Sequence, residues 1–292
     1  MRKKKFIRLL KQRLSNLFKK NFLDSFYIIF LGAISSYSLP PYNYFIINFI
    51  TFSLFFIFIF KKKKRKPHNK SFFQYGWCFG FGYFLFSLYW ISISLTFDQS
   101  FKFLIPVAII LLPAFLAIFY GLITYLFSIF YSKNLVTSFF IFSILFGTIE
   151  FVRSSIFTGF PWNLIAFSFS NSIYFIQILS IIGTYSFNLI CISLFTVPAL
   201  FILKNSRAEI IVCFFFILMS AGFLIFGNFK NNNFNSLEGI KNPYIIKAIS
   251  PNISLDRFYS KQDELKIINE LIELSAPTKI KPTIFLWPEG VI

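Results

Sequence analysis

The sequence predicts a multi-pass α-helical membrane protein with seven spans, followed by the start of an α/β domain that faces outward. The chain of 292 residues is 56% hydrophobic and 14% charged, whereas soluble domains contain roughly 25% charged residues. Its apolar residues form long runs, and most basic residues cluster between alternate runs. After residue 227 the apolar runs give way to segments typical of strands and an amphipathic helix.

Seven apolar runs are candidate spans, since a helix needs about 20 residues to cross roughly 30 Å of hydrocarbon. They cover residues 23–38, 43–60, 72–96, 102–130, 136–153, 173–203 and 208–227. The first two runs are short and are joined by a segment that contains Pro40 and Pro41. Because proline breaks helices, we expect these two runs to form a tight hairpin.

The basic residues predict how the spans are oriented. Residues 1–22 contain nine Lys or Arg and residues 61–70 contain seven, whereas the segments 97–101 and 154–172 contain none. Cytoplasmic segments are rich in Lys and Arg. We therefore expect a basic cytoplasmic N-terminus (residues 1–22), a transmembrane domain (residues 23–227) and an outer segment (residues 228–292). Basic clusters that flank apolar runs also explain the net charge of +18 without a nucleic-acid partner.

Residues 228–292 have the pattern of the first part of an α/β domain. A polar linker at 231–233 precedes a predicted strand at 244–250, an amphipathic helix at 263–276 and a buried strand at 283–287. On or near one face of that helix lie Leu265, Ile268, Leu271, Ile272 and Ser275. This order favours a parallel sheet. Because so short a segment buries too little surface for a complete core, we expect the domain to be truncated.

The three cysteines, Cys78, Cys191 and Cys213, all lie inside apolar runs. Their spacing does not match a metal site, and any disulfide would leave one cysteine unpaired. We expect them to be small buried side chains. The sequence therefore predicts neither a metal nor a cofactor.

Glu289 is the first candidate for catalysis, because it follows the predicted strand 283–287. Active-site residues of α/β sheets gather at the carboxyl ends of strands. Trp287 and Pro288 beside it would exclude water and suit the carboxylate to the role of a general base. The alternative is an ordinary surface glutamate.

The predicted outer loop 153–172 is the second candidate, because it is apolar and aromatic rather than solvated. After a glycine it contains Phe160, Pro161, Trp162 and Asn163. Tryptophan is typical of the membrane interface. The segment is therefore either an interfacial anchor or a wall over a lipid-binding cavity.

Glu150 and Arg153 are three residues apart, near the outer end of the fifth predicted span. This spacing places them on one helix face, where they can pair. Ionisable residues at membrane depth are by default candidates for function. Either the pair simply ends the span, or Arg153 contacts a phosphate headgroup.

Together these motifs resemble one family, the bacterial apolipoprotein N-acyltransferases. Residues 32–45 are similar to the family's first hairpin, 79–95 to its third span and 183–185 to a G-x-Y motif in its sixth span. The most specific match is EFVRSSIFTGFPWN at 150–163, which resembles an E-x-x-R motif followed by a TGFPWN-type loop. Residues 249–253 resemble the first strand of the family's nitrilase-like domain, and LWPEG at 286–290 resembles the segment that supplies its catalytic glutamate.

The resemblance implies an activity and a location. The outer domain would be nitrilase-like, and the protein would lie in the bacterial inner membrane with its C-terminal segment in the periplasm. A phospholipid would donate an acyl chain to an enzyme cysteine, and the thioester would then acylate the α-amine of the lipid-modified N-terminal cysteine of an apolipoprotein. By resemblance, Glu289 is the general base of a Glu–Lys–Cys triad.

The sequence also departs from the family pattern. The Lys and Cys of the triad belong to positions beyond Ile292, so we expect a fragment or a truncated chain that is inactive alone. Ser250 stands where the family has Gln, and Phe258 and Tyr259 stand where it has Lys and Trp, so Tyr259 retains an aromatic contact for the substrate. The alternative to an enzyme is a non-catalytic membrane module that binds or transports lipid.

Overall fold

The computed structural model describes residues 22–65, 70–156, 159, 161–236, 244–252, 264–277 and 282–288, so most of the basic N-terminus lies outside the described residues. Within these ranges there are nine α-helices, α1 to α9. In chain order they are Phe22–Ser36, Ile46–Arg65, Lys70–Leu88, Ile105–Phe130, Leu135–Ser155, Ile173–Ile176, Leu179–Leu203, Arg207–Ser236 and Glu264–Ser275. Three short 3-10 helices cover Tyr89–Thr96, Gln99–Leu104 and Ile165–Phe169, and two strands, β1 and β2, cover Ile245–Ala248 and Thr283–Leu286.

Five helical segments of the described chain are long and apolar enough to cross a membrane. They are Ser71–Thr96, Gln99–Phe130, Leu135–Ser155, Leu179–Leu203 and Arg207–Ser236. The described part of α1 has 15 residues, and α2 has 15 residues, 46–60, before its basic end. At 1.5 Å per residue each stretch is about 22 Å long, which is less than the roughly 30 Å of hydrocarbon. The protein is thus a helical membrane protein with five candidate spans, and the count of seven stays a prediction.

Helix α3 approaches two neighbouring helices closely, because glycines remove side chains from the contacts. A Cβ atom on Gly32 of α1 would lie 2.0 Å from the carbonyl oxygen of Phe79, and Gly82 meets the backbone of α1 in the same way. On the other side, a Cβ atom on Gly76 would lie 2.1 Å from the carbonyl oxygen of Tyr120 in α4. Such contacts hold membrane helices together through van der Waals packing.

Phenylalanine rings fill much of the space between the helices. Phe55 of α2 stacks on Phe79 of α3 with 4.2 Å between the ring centroids, and Phe52 lies 5.4 Å from Phe146 of α5. All four residues are fully buried. Ring pairs of this kind add about 0.5–1.5 kcal/mol each beyond the burial of their area, so part of the high Phe content serves the core.

Two helices differ from the predicted runs. The sixth run is divided into α6 and α7, and α7 is kinked at Gly183, whose φ of 74° lies in the left-handed region that glycine tolerates. Helix α8 continues through residues 231–233 to Ser236, so the predicted polar linker is wrong. Polar side chains alone do not end a helix, and the sequence from Asn228 to Glu238 contains neither proline nor glycine.

Strands β1 and β2 pair in parallel, with Ile245 opposite Thr283 and Ala248 opposite Leu286. Helix α9 lies between them in the chain. The predicted order of strand, helix and strand is therefore confirmed, together with the parallel pairing. The nitrilase-like domain and the domain boundaries stay predictions.

The packing of this tail differs from the predicted packing. Leu271 and Ser275 of the predicted face of α9 are buried as expected. Leu265 and Ile272 of the same face are 68% and 45% exposed, and Ile267, which was not predicted, is buried. The prediction of a buried strand is also wrong, because Leu286 is 53% exposed. Alternate residues of β2 and three of the four residues of β1 are exposed in the described tail.

Candidate functional site

Glu150 and Arg153, at the C-terminal end of α5, form a buried ion pair. The Nη2 atom of Arg153 lies 2.8 Å from Oε2 of Glu150, and its Nε atom lies 3.3 Å from Oε1. Both residues are 1% exposed, and the guanidinium carbon lies 5.3 Å from the centroid of the Phe84 ring. The pair that the spacing predicts is thus present inside the helical bundle, and the contact of Arg153 with a headgroup stays a prediction.

The pair also holds the loop that follows α5. Arg153 donates a hydrogen bond to the carbonyl oxygen of Trp162 at 3.2 Å, and the Tyr83 hydroxyl donates to the carbonyl oxygen of Asn163 at 3.0 Å. Asn163 has a φ of 56°, and its side-chain amide donates to the carbonyl oxygen of Ser87 at 3.4 Å. The backbone of the loop is therefore fixed from the inside by two buried side chains, those of Arg153 and Tyr83.

This loop forms one wall of an apolar cavity of about 670 Å³. Trp90 stacks on Trp162, with ring centroids 5.5 Å apart and ring planes 16° apart. The other lining residues come from the connection between α1 and α2, the end of α3 and the segment after the loop, and they are Leu39, Pro40, Pro41, Ser87, Asn163, Phe167 and Ser170. None of the described lining residues is charged, so the cavity suits an apolar ligand or the apolar part of an amphiphile.

A buried polar cluster that was not predicted from the sequence adjoins the cavity-lining residues in the chain. Asn48 of α2 accepts a hydrogen bond from Ser35 at 2.6 Å and donates to Ser38 at 2.8 Å and to Ser168 at 3.0 Å. Asn188 of α7 accepts a hydrogen bond from the backbone of the 3-10 helix that contains Ser168, at 2.9 Å. The cluster ties the first hairpin to this 3-10 helix. Its signal in the sequence was an asparagine among apolar residues in the second run.

The structure brings together four of the predicted site residues, Glu150, Arg153, Trp162 and Asn163, and Pro161 precedes Trp162 in the same loop. Pro161 and Trp162 are exposed at the surface of the loop, whereas the ion pair lies beneath it. Three other predicted site residues lie outside the described part of the chain: Phe160, Tyr259 and Glu289.

The described residues that precede Glu289 do not form a dry pocket. Trp287 is 37% exposed and donates a hydrogen bond to the Ser275 hydroxyl at 3.0 Å. Pro288 is exposed as well. Whether Trp287 and Pro288 exclude water from Glu289 stays a prediction, because Glu289 lies outside the described residues.

All three cysteines are buried and unpaired by disulfides, at 4%, 0% and 7% exposure for Cys78, Cys191 and Cys213. Among the described residues, no three His, Cys, Asp or Glu side chains lie close enough to hold a metal ion. The described site is therefore an anchored loop beside an apolar cavity.

A comparison with protein families decides what this site belongs to. The model of the apolipoprotein N-acyltransferase N-terminal domain matches residues 31–195. This region is more than half of the chain, and it contains the ion pair, the loop and every described residue that lines the cavity. The chain belongs to the apolipoprotein N-acyltransferase family.

Curated relatives carry the same family name. The chain is 30% identical to the apolipoprotein N-acyltransferase of Rhizobium etli over 284 residues, which cover 93% of this chain and 53% of the relative. It is 28% identical to that of Brucella melitensis over 272 residues, which cover 89% of this chain and 50% of the relative. The chain thus spans about half the length of the curated apolipoprotein N-acyltransferases that it matches.

Proposed function

We propose that this chain supplies the membrane part of an enzyme that transfers an acyl chain from a phospholipid to an apolipoprotein. The acceptor is the α-amine of the lipid-modified N-terminal cysteine. Membership of the apolipoprotein N-acyltransferase family supports lipoprotein N-acylation. The use of a phospholipid as donor and the order of the two acyl transfers go beyond what the family supports, and they are part of this proposal.

The apolar cavity beside Trp90 and Trp162 is the observation that carries the proposal. Its volume of about 670 Å³ and its uncharged lining suit part of an acyl chain. Because tryptophan is typical of the membrane interface, a phospholipid enters with its headgroup at the interface and its acyl chain in the cavity. Arg153 and Tyr83 hold the loop in place before the lipid binds, which reduces the cost of ordering on binding.

In this proposal the ion pair and the loop have different roles. Glu150 and Arg153 are positioning residues, because their side chains are buried and act on the cavity through the carbonyl oxygen of Trp162. The loop supplies the contacts with the lipid through Phe160, Pro161, Trp162 and Asn163. Arg153→Ala should therefore impair acyl transfer while leaving membrane insertion intact.

Glu289 is the proposed general base. It is the third residue after Leu286, the last residue of β2, and the carboxyl ends of parallel strands meet at one edge of a sheet. Glu289 accepts the thiol proton when the thioester forms and passes it to the oxygen of the departing lysophospholipid. It then accepts the amine proton when the amide forms and passes it to the departing cysteine thiolate. Tyr259 contacts the substrate. The N-terminus is cytoplasmic and the tail periplasmic, in a bacterial inner membrane.

A chimera tests the proposal, in which this chain replaces the matching half of the Rhizobium etli relative. The chimera is produced in a strain depleted of its own enzyme, and triacylated lipoprotein is measured. We expect the chimera to restore triacylated lipoprotein and Glu289→Gln to lower its formation about 100-fold or more, as for the loss of a general base. The complete relative is the positive control. A chimera that inserts and accumulates but forms no triacylated lipoprotein would contradict the proposal.

A non-catalytic lipid-binding module is the second candidate, because the same cavity would serve it. Binding of a fluorescent phospholipid separates the two. In an enzyme, Glu289→Gln abolishes acyl transfer and leaves lipid binding unchanged, whereas Trp162→Ala weakens both. In a binding module, triacylated lipoprotein fails to form even with the unaltered chimera.

A further inference from the structure

A second hollow lies at the opposite end of α2 from the apolar cavity. It has a volume of about 260 Å³, and six of its lining residues belong to α2: Leu54, Ile57, Phe58, Lys61, Lys62 and Arg65. The other wall is Tyr27 of α1. We call this hollow the basic groove. The apolar cavity adjoins the N-terminal end of α2, and at 1.5 Å per residue the helix rises about 22 Å from Ile46 to Lys61, where the basic part of the groove begins.

The groove follows a single face of α2 and changes character along it. Its lining residues recur at intervals of three or four, which places them on one helix face. The N-terminal turns of this face present Leu54, Ile57 and Phe58, which are half-buried and form the apolar floor of the groove. The C-terminal turns present the basic residues Lys61, Lys62 and Arg65, which form its basic rim. From residue 54 to residue 65 the helix rises by about 16 Å. An apolar floor that leads to a basic rim fits an amphiphile with an anionic head.

The charge on the rim is only partly neutralised. Lys62 forms an ion pair with Asp24, and its ammonium lies 5.0 Å from the centroid of the Phe58 ring. Lys61 and Arg65 are exposed and make no ion pair with any residue that the structure describes. Asp24 is also the only acidic residue in the sequence before Asp98. The side chains of Lys61 and Arg65 therefore remain available to bind an anion, beside Lys62, which is held by its ion pair with Asp24.

We propose that the basic groove binds the headgroup and upper acyl chain of an anionic phospholipid. Basic pockets between membrane helices recognise anionic headgroups. In this site the phosphate of the lipid lies between Lys61 and Arg65, and its acyl chain lies along Leu54 and Ile57. The half-buried apolar floor favours a lipid over a free phosphate ion, which would leave that floor empty. This site goes beyond the proposed acyl transfer, because it lies at the other end of the bundle and needs none of the residues at the apolar cavity.

The test measures binding of fluorescent phosphatidylglycerol and fluorescent phosphatidylcholine to the purified full chain in uncharged detergent micelles. We expect tighter binding of phosphatidylglycerol, and about 30-fold weaker binding of it to Lys61→Gln/Arg65→Gln, from the usual contribution of two basic residues at an anionic lipid surface. Lys64→Gln/Lys133→Gln is the matched control, because it removes two exposed charges that do not line the groove. It should change binding less than twofold.

Two further variants separate lipid binding at the groove from misfolding and from lipid binding at the apolar cavity. Leu54→Trp fills the apolar floor without a change of charge and should weaken phosphatidylglycerol binding, whereas Trp162→Ala should leave the preference for phosphatidylglycerol unchanged. Equal losses in the two charge-removing variants, no preference for phosphatidylglycerol, or equally effective competition by inorganic phosphate would each overturn the proposal. A preference lost in Trp162→Ala but kept in Lys61→Gln/Arg65→Gln would place the lipid at the apolar cavity and also overturn it.

Discussion

Arg153→Met should be one of the most destabilising substitutions in the transmembrane part of this protein. The substitution removes both hydrogen bonds to the Glu150 carboxylate, at 2.8 and 3.3 Å, and leaves a carboxylate that is 1% exposed without its partner. Breaking one side of a buried pair costs about 3–5 kcal/mol. The lost hydrogen bond to the carbonyl oxygen of Trp162 adds about 1 kcal/mol. We therefore expect a decrease of about 4–6 kcal/mol in the free energy of unfolding.

The double variant Glu150→Gln/Arg153→Met is the informative comparison. It removes both charges, so no unpaired carboxylate remains, and we expect it to cost only about 1–2 kcal/mol. Unfolding is measured by titration with sodium dodecyl sulfate in mixed micelles, followed by circular dichroism. A coupling energy of at least about 2 kcal/mol from the cycle with the two single variants would support the reasoning. Single and double variants that cost the same would refute it, because the pair would then act as two independent polar residues.

Three further predictions concern the bundle. Gly82→Val should destabilise the protein by about 3 kcal/mol or more, because α1 must move away from α3, whereas Gly222→Val, with open space around its Cβ position, should be neutral in the same titration. Asn48→Ala should cost about 2–3 kcal/mol, since three short buried hydrogen bonds and a longer one from Thr51 at 3.5 Å are lost; an unchanged unfolding midpoint would contradict this. Reporter fusions at Lys63 and Asn232 should lie in opposite compartments, and a shared compartment would exclude an odd number of spans between these two residues.

The helical bundle and the ion pair could be predicted from the sequence because both depend on local spacing. Apolar runs of span length identify membrane helices, and a separation of three residues places Glu150 and Arg153 on one face. The predicted seven spans exceed the five candidate spans of the described chain because α1 and α2 have short apolar stretches. A window of hydrophobic residues does not measure whether a short helix crosses the whole bilayer.

The buried face of α9 could be predicted only in part from the sequence. Isoleucine and leucine occur there as two adjacent pairs, residues 267–268 and 271–272, so two neighbouring helix faces satisfy the same periodicity. The predicted face contains both Leu271 and Ile272, and the structure packs Leu271 together with Ile267 against Ile249. Only contacts with the rest of the tail distinguish the two faces.

The polar cluster was missed for a different reason. Asn48 and Ser168 are 120 residues apart in the chain, and neither lies in a recognisable motif. Whether an asparagine in an apolar run finds partners depends on which helices become its neighbours, and no local pattern records that. The anchoring of Trp162 by Arg153 was hidden in the same way, because its acceptor is a backbone carbonyl oxygen that any residue could supply.

The hydrogen bond between Asn48 and Ser168 has a consequence for how the protein is made. The hairpin of α1 and α2 leaves the ribosome first, and the 3-10 helix that completes its polar cluster follows 120 residues later. At roughly 5–20 residues per second, this interval is about 6–24 s. During that time the Asn48 amide near the start of α2 lacks one of its hydrogen-bond partners. The polar cluster of the first hairpin is therefore completed only after synthesis has passed the 3-10 helix Ile165–Phe169.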